Sequence, residues 1–427
     1  MAAVIESIPS EEYSAENLFY CQVDTFRAAK DYLQGGLCVR FIGIEAASRN
    51  TLNEDEDLET FIVDVDLWKF AEILHKRKPN RDARDLIYSF EHAPDQYGRW
   101  YALRIEPTSY ARNYLYSTFS EELPRYFEIK ELGVVEKLGV NLRSKSESLS
   151  SINASLISSG QWIVNNPQAA LLDLRLQDNY FGGNFVLESF HVGQGMCSIV
   201  HDGTWGMLLD MGAGKPVVRP KYPTLSNDLH LVTDKLKELN LLVSHFDSDH
   251  WRILAWDTKL RNKIKNIYVP SGGRSLFFND KNIKKKVVEV NNTVIRLAAD
   301  AFLRIYRSDP SHSDSNGQCL VTTFYKGGRL ALVPGDYAYH RFASDANTGI
   351  QELLGEIYSA VIVPHHGDLA SARSVVECVP GSPAFFSAGT HQGYNHPTTA
   401  SVAEHVLKGF VAIDKNTEEN IVRRLLM

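Results

Sequence analysis

Short runs of branched and aromatic residues recur along this chain, separated by turn-forming residues and by a few stretches with helical spacing. Leu37-Cys38-Val39-Arg40-Phe41-Ile42-Gly43-Ile44 and Phe61-Ile62-Val63-Asp64-Val65 read as strands, and Leu67 to Lys76 and Arg84 to Phe90 as helices. This pattern predicts a small α/β (α+β) domain over residues 1–135. From 136 to 184 the apolar period weakens into a serine-rich stretch that reads as a linker or connecting helix. It ends in the turn cluster Asp178-Asn179-Tyr180-Phe181-Gly182-Gly183-Asn184.

Residues 185–427 are patterned differently. Phe185 to His191, Cys197 to Val200 and Trp205 to Asp210 read as three adjacent antiparallel strands, the last two joined by the hairpin signal Asp202-Gly203. Asp228 to Leu239 has helical spacing, with Leu229, Val232, Leu236 and Leu239 on one face. It leads into the buried strand Leu241-Leu242-Val243. Cys319 to Tyr325 and Leu330 to Pro334 form a predicted hairpin, Ala360 to Pro364 and Ala384 to Gly389 two further strands, and Thr398 caps a helix from Thr399 to Leu407. The strand ends carry the chemistry, because several stop on an Asp or a His.

The densest of these is Ser244-His245-Phe246-Asp247-Ser248-Asp249-His250, where four metal-binding side chains fall within six positions at a strand end. One such residue would read as part of a polar surface loop. The whole constellation, with Asp336 after Gly335 and His365-His366 after Pro364, reads as a metal loop and its complement. Imidazoles and carboxylates without thiolates suit Zn, Mn or Fe in an open, catalytic centre rather than a closed structural zinc.

Composition narrows the class. At 427 residues the chain exceeds one ordinary core, and 44% hydrophobic with 23% charged residues is a globular balance. No apolar run approaches bilayer length, and the first twenty residues carry Glu6, Glu11, Glu12 and Glu16 where a leader would be basic and then apolar. The expectation is a cytoplasmic protein without a membrane segment. Five scattered cysteines without a C-x-x-C pair indicate reduced thiols. Of the 14 histidines only His75 and His92 precede residue 185, which puts the chemistry in the second domain.

The net charge of -7 does not announce a nucleic-acid binder, but charge is uneven. Between Lys259 and Lys286, nine Lys or Arg face the single acid Asp280, a local charge of +8. Lys281, Lys284, Lys285 and Lys286 are therefore candidate phosphate-backbone contacts, with a solvated insertion as the alternative. The basic run Lys76-Arg77-Lys78 and its neighbouring aromatics up to Tyr101 read as core and solvated helix end rather than as a nucleic-acid surface.

Seven motifs together carry a resemblance. They are His191-Val192-Gly193-Gln194-Gly195, Leu208-Leu209-Asp210-Met211-Gly212, Ser244 to His250, Asn316 with Cys319-Leu320-Val321, Gly335-Asp336, Val363-Pro364-His365-His366-Gly367, and Tyr394-Asn395-His396-Pro397. In this order they resemble the metallo-β-lactamase fold, in the branch containing the ComEC-type hydrolase domain of DNA uptake. The resemblance implies an αββα sandwich over residues 185–427 with a dinuclear site at one rim. Carried over, His245 and Asp247 bind one ion, Asp249 and His250 the other, and Asp336 bridges them. His365, with His366, and His396 complete the shell or face substrate, and Asp210 orients ligands from behind. His191 and Met196 stand where the glycine turn usually has acids, and Asp368 follows His366-Gly367 where Ser is common.

Two divalent ions, Zn or Mn, held a few ångströms apart would activate a water and clamp an in-line phosphoryl displacement. The expected function is a metal-dependent phosphodiesterase or nuclease in which Asp249 accepts a proton and His396, with His391 as the alternative, supplies one. A nucleic acid or other phosphodiester is the expected partner, and the first domain would dock a protein partner or grip the polyanion. Two alternatives share these residues: a hydrolase of a small nucleotide messenger, thioester or lactone, and a non-catalytic, metal-stabilised binding module.

Overall fold

The computed structural model describes residues 17–32, 36–46, 58–75, 99–120, 122–135, 170–172, 184–273, 275–310, 317–391, 393–413 and 418–427. The expected helix Arg84–Phe90, most of the basic and aromatic run 76–101, and Asn316 lie outside these residues. The chain divides into two compact units, Met1–Gly160 with Arg274–Lys285, and Gln161–Gly273 with Lys286–Met427.

In the first unit β1 (Leu18–Ala29), β2 (Leu37–Glu45), β3 (Phe61–Asp66), β4 (Trp100–Thr108), β5 (Asn113–Ser117) and β6 (Arg125–Val134) close into a barrel in the order β1-β2-β3-β5-β6-β4. Every pairing is antiparallel. This corrects the expected α/β domain: antiparallel neighbours need no crossover helices. The described helix, Leu67–His75, adds Leu67, Phe70 and Ala71 to a core of Phe19, Val39, Phe41, Val63, Leu103, Leu115 and Phe127. Two register shifts in β1, with Arg27 at φ 54°, give that twelve-residue strand the irregularity by which bulged strands bend. The stretch 275–285 belongs to this unit. Asp280 accepts hydrogen bonds from the Thr60 amide at 2.7 Å and the Thr60 hydroxyl at 2.8 Å, and Phe277 packs on Phe119.

The second unit begins, among described residues, with β7 (Ala170–Leu172), inside the stretch read as a linker. Then follow β8 (Val186–His191), β9 (Cys197–His201), β10 (Trp205–Met211), β11 (Glu238–Leu242), β12 (Ile264–Pro270), β13 (Val287–Val290), β14 (Thr293–Ala298) and β15 (Ala301–Arg307). The remainder are β16 (Leu320–Lys326), β17 (Arg329–Val333), β18 (Ile357–Tyr358), β19 (Ala360–Ile362), β20 (Glu377–Cys378), β21 (Pro383–Phe385), β22 (Val411–Ile413) and β23 (Val422–Leu425). One seven-stranded sheet runs β13-β12-β11-β10-β9-β8-β23 and one eight-stranded sheet β22-β21-β19-β17-β16-β15-β14-β7; both are mixed. The helix expected from Asp228 to Leu239 spans only Asp228–Thr233, because the chain turns at Asp234 and β11 begins at Glu238.

The two sheets pack face to face. Leu187, Val200, Met207, Leu209 and Leu242 from one meet Leu303, Ile305, Phe324, Val333, Ile362 and Phe385 from the other. Alternate residues of the second sheet, Val321, Leu332, Val361, Val363 and Phe386, enter a separate core with Tyr339, Phe342, Ile350 and Phe410. Such a strand is apolar on both faces, which is why it reads as a continuous apolar run. The result is a layered sandwich of two mixed sheets with helical segments. Among the described residues no helix is long and apolar enough to cross a membrane.

Candidate metal centre

Parallel strands end at the same rim. β10 and β11 are parallel in one sheet, and β17, β19 and β21 are parallel in the other. Their C-terminal ends deliver Asp210, then His245 to His250, then Asp336, then His365 and His366, and finally His391 and His396. The sheets are tied at this rim, where the Leu320 amide donates to the Ser244 carbonyl at 2.7 Å, and within the second sheet the His365 amide donates to the Gly335 carbonyl at 3.2 Å. Gly335 and Gly212 are required here. A Cβ at the first would lie 2.6 Å from Ser244, and at the second 1.6 Å from the Asp249 carbonyl oxygen.

The side chains form two groups that share His250: His245, His250 and Asp336, and Asp249, His250 and His366. Within each, the ligand atoms lie within 4.8 Å of one another. The Asp336 carboxylate stands between them. Its Oδ2 is 3.7 Å from Nε2 of both His245 and His365, and its Oδ1 is 3.2 Å from His250 Nε2 and 3.8 Å from His366 Nε2. Asp247 adds an oxygen 3.5 Å from His245 Nε2, and Asp249 one 3.1 Å from His366 Nε2. His245, His250, Asp336 and His366 are buried, whereas Asp247, Asp249 and His365 keep a quarter to a third of their side chains open. The cluster therefore has a wet side.

The hydrogen bonds behind the cluster decide what it presents. His250 Nδ1 donates to Asp210 Oδ2 at 2.7 Å, His366 Nδ1 to the Ser387 carbonyl at 2.8 Å, His365 Nδ1 to Asp368 at 3.1 Å, and His245 Nδ1 to Ser244 Oγ at 3.1 Å. Each imidazole is thereby set in the tautomer that leaves the Nε2 lone pair toward the others, the arrangement metal-ligating histidines adopt. Nε2 of His245, His250 and His366 and Oδ1 of Asp336 are buried without a hydrogen-bond partner. Leaving each such atom unpaired costs about 1–3 kcal/mol. Convergent, unpaired and correctly tautomerised donors of nitrogen and oxygen type fit divalent transition ions.

Charge and strain agree with that fit. Burial alone would lower the His250 pKa, and His245 adds to this, but Asp336 and Asp210 raise it to about 10. At His365, Asp336 and Asp368 overcome burial and push the value to about 9. Asp336 is held well below the carboxylate range, against its own burial, by His250, His365 and His366. The cluster attracts positive charge, and a divalent ion meets that demand as a proton does. Asp210, His365 and His366 adopt φ of 62°, 49° and 56°, a left-handed conformation costing roughly 1–2 kcal/mol per residue. Asp210 uses it to receive Ser244 N, Ser244 Oγ and His250 at once.

His396 is built differently. Its ring lies beside His365 and His366, with centroids 5.7 and 6.3 Å away, and its Nδ1 meets Gln194 Nε2 at 3.3 Å. Burial, then His366 and His365, push its pKa down to about 3. His391 stacks on Tyr394 at 4.2 Å, and Tyr394 in turn stacks on His396 at 5.5 Å, so His391 stands two rings behind.

The candidate lysines are divided between the two units. Lys281 to Lys285 belong to the first unit, where Lys281 pairs with Glu59 at 3.0 Å. Lys286 belongs to the second and donates to the carbonyls of Arg261 and Ile264, both at 2.8 Å. Ser244, Asp368, Ser387 and Gln194 were not assigned roles from the sequence. Ser387 acts through its backbone carbonyl, which no residue type announces.

No family model and no curated protein matches the chain. Distant structural matches include metallo-β-lactamase fold proteins. The metallo-β-lactamase fold protein YhfI from Bacillus subtilis aligns at 12% identity over 54% of this chain and 98% of its own, with a TM-score of 0.35. Zn-bound PqqB from Methylobacterium extorquens aligns at 13% over 54% and 86%, with a TM-score of 0.32. The short form of human tRNase Z aligns at 11% over 56% and 99%, with a TM-score of 0.31. The candidate metal site rests on the chain's own geometry.

Proposed function

We propose that the second unit is a metal-dependent hydrolase of phosphodiesters, a nuclease in the fullest form of the reading, working with two divalent ions, Zn or Mn. The observation that carries it is the Asp336 carboxylate with one oxygen turned to each of two groups of Nε2 lone pairs. His245, Asp247 and His365 would hold one ion, Asp249, His250 and His366 the other, and Asp336 would join both. When bound, such a pair supplies Lewis acidity and an activated water at neutral pH.

The chain's own residues account for the rest. Asp249, a quarter open to solvent and 3.1 Å from His366 Nε2, accepts a proton on the wet side. His396 stands beside His365 and His366 to serve the leaving oxygen. Asp210 holds His250 and the Ser244 turn.

A second reading, hydrolysis of a small ester or nucleotide, is favoured by one observation. The basic stretch is largely engaged at home, with Lys259 on Asp234, Lys263 on the Thr233 carbonyl and Lys286 on Arg261 and Ile264. Incubation of the Zn- or Mn-loaded chain with single- and double-stranded DNA and RNA, a dinucleotide and bis(p-nitrophenyl) phosphate separates the readings. Polymer cleavage abolished by Asp336→Asn supports the nuclease. Turnover of the small diester alone, insensitive to neutralising Lys281, Lys284 and Lys285, supports the second. Equal activity of parent and Asp336→Asn on every substrate rejects both.

A further inference from the structure

Four histidines of the rim have Nδ1 bonded to an oxygen and offer a lone pair at Nε2. His396 faces a side-chain amide instead, with Gln194 Nε2 3.3 Å from its Nδ1, and His391, two rings behind, accepts at Nδ1 from the Gly393 amide at 3.0 Å. An amide N–H donates, so His396 Nδ1 accepts, and the proton of a neutral ring must then sit on Nε2. The ring makes no other hydrogen bond among the described residues, so it presents an N–H beside the cluster where its neighbours present lone pairs.

Gln194 is placed firmly enough to impose this. Its backbone N–H donates to the Lys215 carbonyl at 3.0 Å, and its backbone lies against Gly214 and Gly389. A Cβ on Gly214 would meet the Gln194 carbonyl oxygen at 1.9 Å, and one on Gly389 the Gln194 nitrogen at 2.6 Å. The side chain is buried and its Oε1 has no hydrogen-bond partner. Packing alone would favour an aliphatic residue here, since an unpaired buried carbonyl costs about 1–3 kcal/mol. Nε2 is the polar atom of this side chain that meets a partner, and the partner is His396.

We propose that Gln194 is a positioning residue that holds His396 as its Nε2–H tautomer, so that this histidine donates to the leaving oxygen of the substrate and takes no part in holding metal. The proposal rests on the hydrolase reading for the identity of the acceptor and on geometry for the tautomer. The same tautomer excludes His396 Nε2 as a ligand, because a protonated nitrogen has no lone pair to give.

Histidine-selective 15N NMR of the full, Zn-loaded chain tests it, with His396→Asn assigning the signal. The expected spectrum has a pyridine-type Nδ1 and a pyrrole-type, proton-bearing Nε2 for His396. In Gln194→Glu the carboxylate accepts from Nδ1–H and the pattern inverts; in Gln194→Leu the two tautomers mix. Zinc content stays at the parental level in both variants. In turnover, the ratio of a dinucleotide, whose leaving group is poor, to bis(p-nitrophenyl) phosphate, whose leaving group is good, falls about 100-fold in Gln194→Glu, the low end of general-acid contributions.

A proton on Nδ1 in the parent, an unchanged pattern in Gln194→Glu, or an equal loss on both substrates accompanied by loss of zinc overturns the proposal. Should Gln194→Glu not fold, the parent spectrum and Gln194→Leu decide it. A parent that turns over neither substrate removes the hydrolase reading, and the tautomer pattern still decides whether Gln194 sets His396.

Discussion

Each unit buries a cluster of charged side chains, and the two clusters are finished to different degrees. In the barrel, Arg40 makes a two-point contact with Asp64 at 2.7 Å and a third bond to Asp31 at 3.0 Å. Tyr114 donates to Asp64, Tyr116 to Asp31, and Lys30 pairs with Asp66. At the sandwich rim, four nitrogen and oxygen atoms among His245, His250, His366 and Asp336 stay unpaired. A satisfied network of buried charge makes one structure specific; an unsatisfied one is kept for something that binds. Burial and charge do not separate these two clusters, whereas their unpaired atoms do.

The comparison breaks most visibly at Arg40. Arg40→Met strands Asp31 and Asp64 in the barrel, and chemical denaturation should show a loss of about 3–5 kcal/mol in the first unit, the cost of breaking a buried pair from one side. The Zn-dependent stability of the second unit should be untouched. A loss below about 1 kcal/mol would mean that the barrel network is not the completed one.

Adding metal should act on the second unit only. Zinc at a hundredfold excess over its dissociation constant should stabilise that unit by about 2.7 kcal/mol in thermal unfolding. The effect should vanish in a His250→Ala, Asp336→Asn variant. Stabilisation of that variant to the same extent would place the ions elsewhere.

Two buried histidines of the same unit give a pH contrast. His405 donates from Nδ1 to the Ser401 carbonyl at 2.7 Å and meets the Tyr339 hydroxyl at Nε2, and burial lowers its pKa to about 4. A folded value below the unfolded value of about 6.5 means that the unfolded chain takes the proton first. The stability from neutral His405 is therefore whole above pH 6.5 and is lost as pH falls toward 4, on the order of 2–3 kcal/mol. Denaturation of the metal-free protein over that window should show the slope, and His405→Phe should flatten it. His250, drawn up to about 10 by Asp336 and Asp210 against its burial, is the opposite case in the same fold.

The smallest expected effect is at Asp210. Asp210→Asn keeps a residue tolerant of the left-handed backbone but weakens the hold on His250, and titration calorimetry should find zinc bound about 10–100-fold less tightly. An unchanged affinity would remove Asp210 from the support of the centre.

Much of the sandwich was legible because its strands are short, apolar and punctuated. β8, β9 and β10, the β16–β17 hairpin and the helix after Thr398 stand where hydrophobic runs and turn residues put them. The metal-type side chains were legible as residues at strand ends. The barrel was not, since antiparallel closure depends on which strand finds which, and a helix at Leu67–His75 among strands reads equally as α/β. In the basic stretch charge per residue is visible in sequence, whereas the carbonyls that receive Lys286 and the Glu59 that meets Lys281 come from far along the chain.

The sequence by itself determined the donor types, their placement at strand ends and the absence of thiolate among them, because these are local properties of residue and period. Only the tertiary structure decided which nitrogen of each histidine looks inward. Asp210, Ser387 and Gln194 make that choice from far along the chain, and Ser244 and Asp368 from within three residues of their histidines. A ring has two nitrogens and one proton when neutral, and the partner on one side settles what the other side offers.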